Sequence, residues 1–126
     1  MKLTLGMIIL FVKDINTLKK FYTENLQLEL VEEIPSQWVV LSAGSCQIGL
    51  HQIGPGYLAT GANESNCESN TKIVFELDED ISGVRARLVK DNIQVREIKS
   101  FDNYPYLLCD GEDPEGNVFQ LRQNKG

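Results

Sequence analysis

The chain has 126 residues, 42% of them apolar and 24% charged, with a formal net charge of −6. That is one domain's worth, long enough to bury a core without disulfide or metal staples. The acidic balance argues against nucleic acid and anionic membrane, which need clustered Lys and Arg, and it disfavours a small polyanion unless a local cation receives it.

Residues 4–12 are rich in Ile, Leu and Val and are expected to form a buried strand. The opening MKLTLGMIILFV has the Lys and apolar run of a signal peptide. No small-residue cleavage site follows it; Lys13, Asp14 and an amphipathic segment do. The run is also too short to span a membrane. Asp14 offers a helix N-cap. Over 15–24, Ile15, Leu18, Phe21 and Tyr22 fall on one helical face, and Lys19 and Lys20 on the other. Strands are expected at 27–34, 37–42 and 45–53, punctuated by hairpin turns at Pro35-Ser36 and Ala43-Gly44.

Residues 54–70, GPGYLATGANESNCESN, show no period and are expected to be a long loop or linker, commonly functional or mobile. Asn63-Glu64-Ser65 matches a glycosylation sequon, which has no meaning without secretion. A strand at 71–78, a helix at 81–91 and a strand at 93–99 come next. Asp102-Asn103 marks a turn. Strands at 104–110 and 117–122 then flank Asp113-Pro114-Glu115-Gly116, where Pro presets φ and Gly takes the positive-φ position.

Cysteines are three: Cys46, Cys67 and Cys109, an odd number without CxxC spacing. Cys46 and Cys109 lie in apolar runs and read as small buried hydrophobes. Cys67 lies in the polar segment and reads as exposed. The pattern fits a reducing cytosol.

Element order is thus β-α-β-β-β, twice. Ile15, Leu18, Tyr22 and Leu28 are answered by Ile81, Val84, Leu88 and Val95, at offsets of 66, 66, 66 and 67. Residues 1–126 are expected to form a single domain, with module one at 1–53, the linker at 54–70 and module two at 71–126.

This order, the segment VKDINTLKKFYTENL and the closing DPEGNVFQL together resemble the vicinal oxygen chelate superfamily, which includes glyoxalase I, extradiol dioxygenases, fosfomycin-resistance enzymes and bleomycin-resistance proteins. The resemblance covers nearly the whole chain. One departure is Leu26-Gln27, where the family often has Leu-Gly. It implies an α+β fold in which two βαβββ modules form a cup-shaped curved mixed sheet. In metal-dependent members the cup holds a divalent ion on four strand positions, which here carry Met7, Gly49, Lys72 and Gln120. Such an ion wants imidazole and carboxylate ligands. Met7 is a soft thioether, Gly49 has no side chain, Lys72 is a cation and Gln120 offers one neutral amide oxygen. A one-residue slip of any strand would reverse its faces. The neighbours Gly6, Ile8, Ile48, Leu50, Thr71, Ile73, Phe119 and Leu121 are no better. The expectation is a site with no metal and no other cofactor.

Strand alternation places Leu5, Ile9 and Phe11 with Met7, His51 with Gly49, Val74 and Glu76 with Lys72, and Val118 and Arg122 with Gln120. An apolar lining with a few convergent polar groups suits a small organic ligand. Lys72 is a candidate anion contact or amine nucleophile, against a solvated rim lysine whose stem packs on the wall. Glu76 lies about 13 Å along the strand, too far to pair with it. His51, the only histidine, has the chemistry of a general base but no local acidic partner. Gln120 is a candidate hydrogen-bond partner for a ligand. Trp38, Tyr57, Phe101, Tyr104 and Tyr106 offer stacking surface at a cup mouth, against core or dimer packing. Glu112, Asp113 and Glu115 read as a solvated acidic turn.

The leading expectation is metal-independent binding of a small neutral or cationic aromatic or organic molecule, resembling bleomycin-resistance-type sequestration. No catalytic residue is assigned. Ligand contacts are expected from Met7, Trp38, Gly49, His51, Lys72, Gln120, Tyr104 and Tyr106. The resemblance further implies a homodimer, and the location expected is cytoplasmic. The alternatives are a glyoxalase-like lyase, isomerase or dioxygenase needing a divalent metal, and a scaffold or regulatory module with a vestigial cup.

Overall fold

The computed structural model describes residues 1–2, 4–54 and 71–126. Apart from Gly54, the connecting segment expected at 54–70 lies outside the described residues, and with it Tyr57, Cys67 and the Asn63 sequon. The chain divides into two compact units, 1–65 and 66–126.

In the first unit, β1 (Met7–Val12) leads into α1 (Ile15–Lys20), a π-helical turn (Phe21–Asn25), and strands β2 (Glu29–Ile34), β3 (Trp38–Ala43) and β4 (Cys46–Gln52). The strand order is β1-β4-β3-β2, with β1 parallel to β4 and the other pairs antiparallel. The second unit repeats the plan with β5 (Lys72–Glu76), α2 (Ile81–Lys90), β6 (Lys99–Ser100), β7 (Tyr106–Glu112) and β8 (Val118–Asn124), in the order β5-β8-β7-β6. The fold is α+β, with two four-stranded mixed sheets.

Both helices start on an aspartate. Asp14 accepts from the Thr17 N–H (3.2 Å) and hydroxyl (2.9 Å), and Asp80 from the Gly83 N–H (3.2 Å), satisfying amides that have no partner within the helix. A glutamine from the last strand of each unit adds to this. Gln52 Oε1 accepts from the Ile15 N–H at 2.8 Å, and Gln123 Oε1 from the Ile81 N–H at 2.7 Å. Each glutamine so ties the start of its helix to its own sheet.

The helices bury one face of each sheet. Ile15, Leu18, Phe21 and Tyr22 are buried with Val12, Val39, Leu41, Ile48 and Leu50; Ile81, Val84 and Leu88 are buried with Ile73, Cys109, Phe119 and Leu121. Full burial of one such side chain stabilises by about 1.5–3 kcal/mol. Burial also pushes the Cys109 thiol above its ordinary pKa.

The two helix ends differ by one residue. The Leu26 N–H reaches Phe21 O, five residues back, where the Asp91 N–H reaches Arg87 O, four back. Leu28 N–H then closes on Tyr22 O, and Ile93 N–H on Leu88 O. Leu28 is therefore answered by Ile93 rather than Val95, and the π turn is the extra residue. Gln27 (φ 60°) and Asn92 (φ 62°) take the left-handed position after each helix.

Several boundaries move for physical reasons. Strand β1 starts at Met7, not residue 4, because the ladder with β4 begins at Met7↔Gln47. The strand expected at 93–99 reduces to a bridge between Val95 and Gly111 and the two residues of β6. This edge carries exposed Arg96, Glu97 and Lys99, the charges that blunt sheet edges. Strand β7 starts at Tyr106, after Pro105, which has no N–H to donate. Among the described residues no helix is long and apolar enough to cross a membrane.

The DPEGN turn corrects the expectation of a solvated acidic cluster. Asp113 is 4% exposed. Its Oδ1 accepts from the Glu115 and Asn117 N–H groups, both at 2.9 Å, and its Oδ2 from Asn117 Nδ2 at 2.8 Å. Gly116 has φ 83°, the positive value expected there. Asp113 organises the turn that joins β7 to β8.

Candidate functional site

The face of each sheet turned away from its helix carries the candidate residues. In the first unit, register sets Trp38 opposite His51, Val40 opposite Gly49, Ile9 opposite Gly49 and Phe11 opposite His51. Alternation then puts Met7, Ile9, Phe11, Trp38, Gly49 and His51 on one face. This face is apolar and open: Ile9 is 45% and Phe11 68% exposed.

Gly49 is buried although it has no side chain. Its neighbours fill the space a side chain would take. A Cβ there would stand 2.7 Å from Trp38 Cη2 and 3.0 Å from Met7 Sδ. The indole is held from its other end, where Nε1 donates to Glu32 Oε2 at 2.8 Å. His51 meets two rings edge-on, Phe11 at 5.3 Å and Trp38 at 6.0 Å. Beside it is a hollow of about 460 Å³, lined among the described residues by Phe11, His51, Gln52, Ile53 and Gly54.

In the second unit, Lys72, Val74, Glu76, Val118, Gln120 and Arg122 share a face with Tyr106, Leu108 and Asp110 of β7. Lys72 and Gln120 meet at Asp110. Lys72 Nζ donates to Oδ2 and Gln120 Nε2 to Oδ1, each at 2.9 Å. Burial pushes the Asp110 carboxyl up, but the hydrogen bonds from Lys72 and Gln120 and the lysine's charge outweigh it. The net effect holds its pKa below the ordinary carboxylate value. Lys72 is thus neither a free anion receptor nor a bare rim lysine. An ammonium in an ion pair with 42% of its side chain exposed is also not the desolvated amine a nucleophile requires.

Further along the same face, Arg122 lies 4.0 Å over the Tyr106 ring, donates to Tyr104 Oη at 3.4 Å and pairs with Glu76. The bonds to Glu76 and Tyr104 push its pKa still higher than that of an ordinary guanidinium. Tyr104 and Tyr106 stand 5.4 Å apart, tilted by 53°. Phe101 is 54% exposed, and its carbonyl accepts from Lys125 Nζ at 2.9 Å and the Tyr104 N–H at 3.1 Å.

Sequence reasoning missed two carboxylates, Glu32 and Asp110. Alternation along β7 was the available signal for Asp110, since it stands opposite Gln120. Glu32 was obscured because a bulge between Leu30 and Glu32 reverses the faces of β2. With Asp110 included, the four positions that the resemblance marks for a metal carry a thioether, no side chain, a paired ammonium and an amide whose NH₂ is engaged. Among the described residues no group of three or more His, Cys, Asp or Glu is placed to hold a metal ion. The donor set does not fit a divalent cation.

The βαβββ plan occurs twice, and the sheet face opposite the helix in each unit carries aromatic and polar side chains. Residues 4–121 match the Glyoxalase/Bleomycin resistance protein/Dioxygenase superfamily, and the chain belongs to that family. No curated protein gives a significant match. Solved structures do. An antibiotic-binding protein from a Streptomyces species has a TM-score of 0.76 at 19% identity, covering 98% of this chain and 97% of that one. Lactoylglutathione lyase from Agrobacterium tumefaciens has a TM-score of 0.72 at 18% identity, covering 97% and 94%. A fosfomycin resistance protein from Mesorhizobium loti has a TM-score of 0.68 at 15% identity, covering 98% and 92%. At these identities the likeness is one of fold.

Proposed function

We propose that the protein binds a small neutral or cationic aromatic or organic molecule without a metal ion, by capture rather than catalysis. The observation that carries this is the state of Gly49. At a position where the family's metal-dependent members bring a ligand, this chain has no side chain, and the space is taken by an indole and a thioether. Lys72, at another of the four, adds a positive charge already matched by Asp110. The residues proposed as candidate ligand contacts are Met7, Trp38, Gly49 and His51 in the first unit, and Lys72, Gln120, Tyr104 and Tyr106 in the second. The net charge of −6 favours neutral and cationic ligands over anions. The fold is shared with an antibiotic-binding protein as well as with a lyase, so it accommodates sequestration without selecting it.

The protein acts as a homodimer, as the antibiotic-sequestering branch of the family does. A cytoplasmic location is supported by the thiols of Cys46 and Cys109, both free.

Calorimetric titration tests this. Protein stripped with chelator is titrated with a panel of neutral and cationic aromatic compounds, then again with zinc, nickel, manganese or iron(II) added. Binding at one site per chain, unchanged by metal, is expected. No binding at millimolar concentration, or stoichiometric metal in protein purified without chelator, overturns it.

A further inference from the structure

Arg122, on β8 of the second unit, has the surroundings of a bound cation. It stands opposite Glu76 across the β5–β8 ladder and pairs with that carboxylate. Its partner on β7 is Leu108, so Tyr106, two residues earlier, is the diagonal neighbour whose ring the guanidinium overlies at 4.0 Å. A second ring comes from the loop before β7. Tyr104 Oη accepts from Arg122 Nη1 at 3.4 Å, and the two tyrosine rings stand 5.4 Å apart. That loop is fixed to the end of β8, where Lys125 N–H donates to Pro105 O at 2.8 Å and Lys125 Nζ to Phe101 O at 2.9 Å.

A carboxylate, a ring face and a phenol oxygen are the groups that receive an organic cation. Here the chain's own side chain supplies it, on a long flexible stem. Glu76 and Tyr104 are exposed and Arg122 is half-buried, so the group lies within reach of a ligand. While Arg122 is in place, Glu76 is matched, and a second cation brought to the rings meets a like charge. A neutral ligand meets no such charge, and its oxygen can accept from the guanidinium. With Arg122 removed, the Glu76 carboxylate is unmatched beside two rings and attracts a cation.

Resting on the metal-independent binding proposed above, we infer that Arg122 sets the charge selectivity of the second unit: it fills from within a cation site formed by Glu76, Tyr104 and Tyr106, so the two tyrosines take neutral ligands in preference to cations. Removing the guanidinium reverses that order. Along the same face the Lys72 ammonium is matched by Asp110 in either case, so the reversal belongs to Arg122 and Glu76.

The test titrates the full chain, in chelator, with two compounds of nearly one shape: benzamidine, a planar cation at neutral pH, and neutral benzamide. NMR follows the ring resonances of Tyr104 and Tyr106, assigned with Tyr104→Phe and Tyr106→Phe. The parent should bind benzamide at least as tightly as benzamidine. Arg122→Met keeps an apolar stem without the charge, and should bind benzamidine about tenfold more tightly than benzamide, the worth of one cation–ring contact. Adding Glu76→Gln to Arg122→Met should remove most of that preference. Arg122→Lys keeps the charge and should keep the parent's order. A parent that prefers benzamidine overturns the inference. So do the same order of affinities in the parent and Arg122→Met, no binding of benzamidine by Arg122→Met, and binding that leaves both tyrosine signals still. Each of these leaves metal-free capture standing. Binding by parent and variants that appears only after a divalent ion is added defeats the metal-independent reading as well.

Discussion

Replacing Asp113 by Ala should cost this protein a large part of its stability, although the residue lies in a turn rich in charge. Its carboxylate accepts three hydrogen bonds, from two backbone N–H groups and the Asn117 amide, while only 4% exposed. Hydrogen bonds to a charged acceptor contribute about 1.5–3 kcal/mol each. They are not additive, and the freed donors of a surface turn regain some water. A loss of about 3–4 kcal/mol is therefore expected for Asp113→Ala, against a typical total of about 5–15 kcal/mol. Asp113→Asn can keep the two Oδ1 bonds but turns an NH₂ toward Asn117 Nδ2, and should lose about half as much. Urea denaturation followed by far-UV circular dichroism checks both. With a slope of about 2 kcal/mol/M, the Ala variant's midpoint should fall by about 1.5–2 M, at unchanged slope. An Ala midpoint within about 0.3 M of the parent would refute the claim that Asp113 organises the β7–β8 turn.

Four further outcomes follow from single positions. Gly49→Ala should displace the Trp38 indole, because the new Cβ would stand 2.7 Å from Cη2. The cost should be about 1–3 kcal/mol with a shift in emission of the only tryptophan, and unchanged fluorescence would count against the packing described. Gln27→Gly should raise stability by about 0.5–1 kcal/mol, since a left-handed non-glycine residue costs about 1–2 kcal/mol and glycine returns part of that as chain entropy. Asn92→Gly should change the thermal midpoint less, because asparagine tolerates that conformation. The Asp110 pKa lies below its ordinary 3.8 in the folded protein. Its stabilising contribution is thus present above pH 3.8 and lost as pH falls from there through the folded value. Asp110→Asn should flatten the pH dependence of stability in that acid window, and an unaltered acid limb in urea titrations would contradict the Lys72–Asp110–Gln120 arrangement.

Much of the architecture was legible before any coordinates. Asp14 as a helix cap, Ile15, Leu18 and Tyr22 as a buried stripe, and the positive φ of Gly116 each follow from local chemistry. That Met7 and Gly49 share a face was implied by the family resemblance, and alternation along each strand then added Ile9, Phe11 and His51. The π turn was not legible. It inserts one residue without disturbing the apolar spacing from Ile15 to Tyr22, so the repeat's offset drifted toward Val95 where the hydrogen bonds choose Ile93. The truncated 93–99 strand was equally hidden, since Ile93-Gln94-Val95 alternates like the start of a strand and only its place at a sheet edge limits its pairing.

The repeat, the helix faces and the residue types at Met7, Gly49, Lys72 and Gln120 could be read from the chain alone. Those depend on residue type and spacing, which local rules govern. What each candidate touches emerges only when the chain is folded. Lys72 finds Asp110, 38 residues away along the chain, and Asp113 sinks into a turn that composition marks as solvated. Gly49 makes room for Trp38 and Met7, and His51 is left between two rings with its nitrogens unclaimed by any described residue. Partners of this kind are set by strand pairing across long separations, where no local period carries the information.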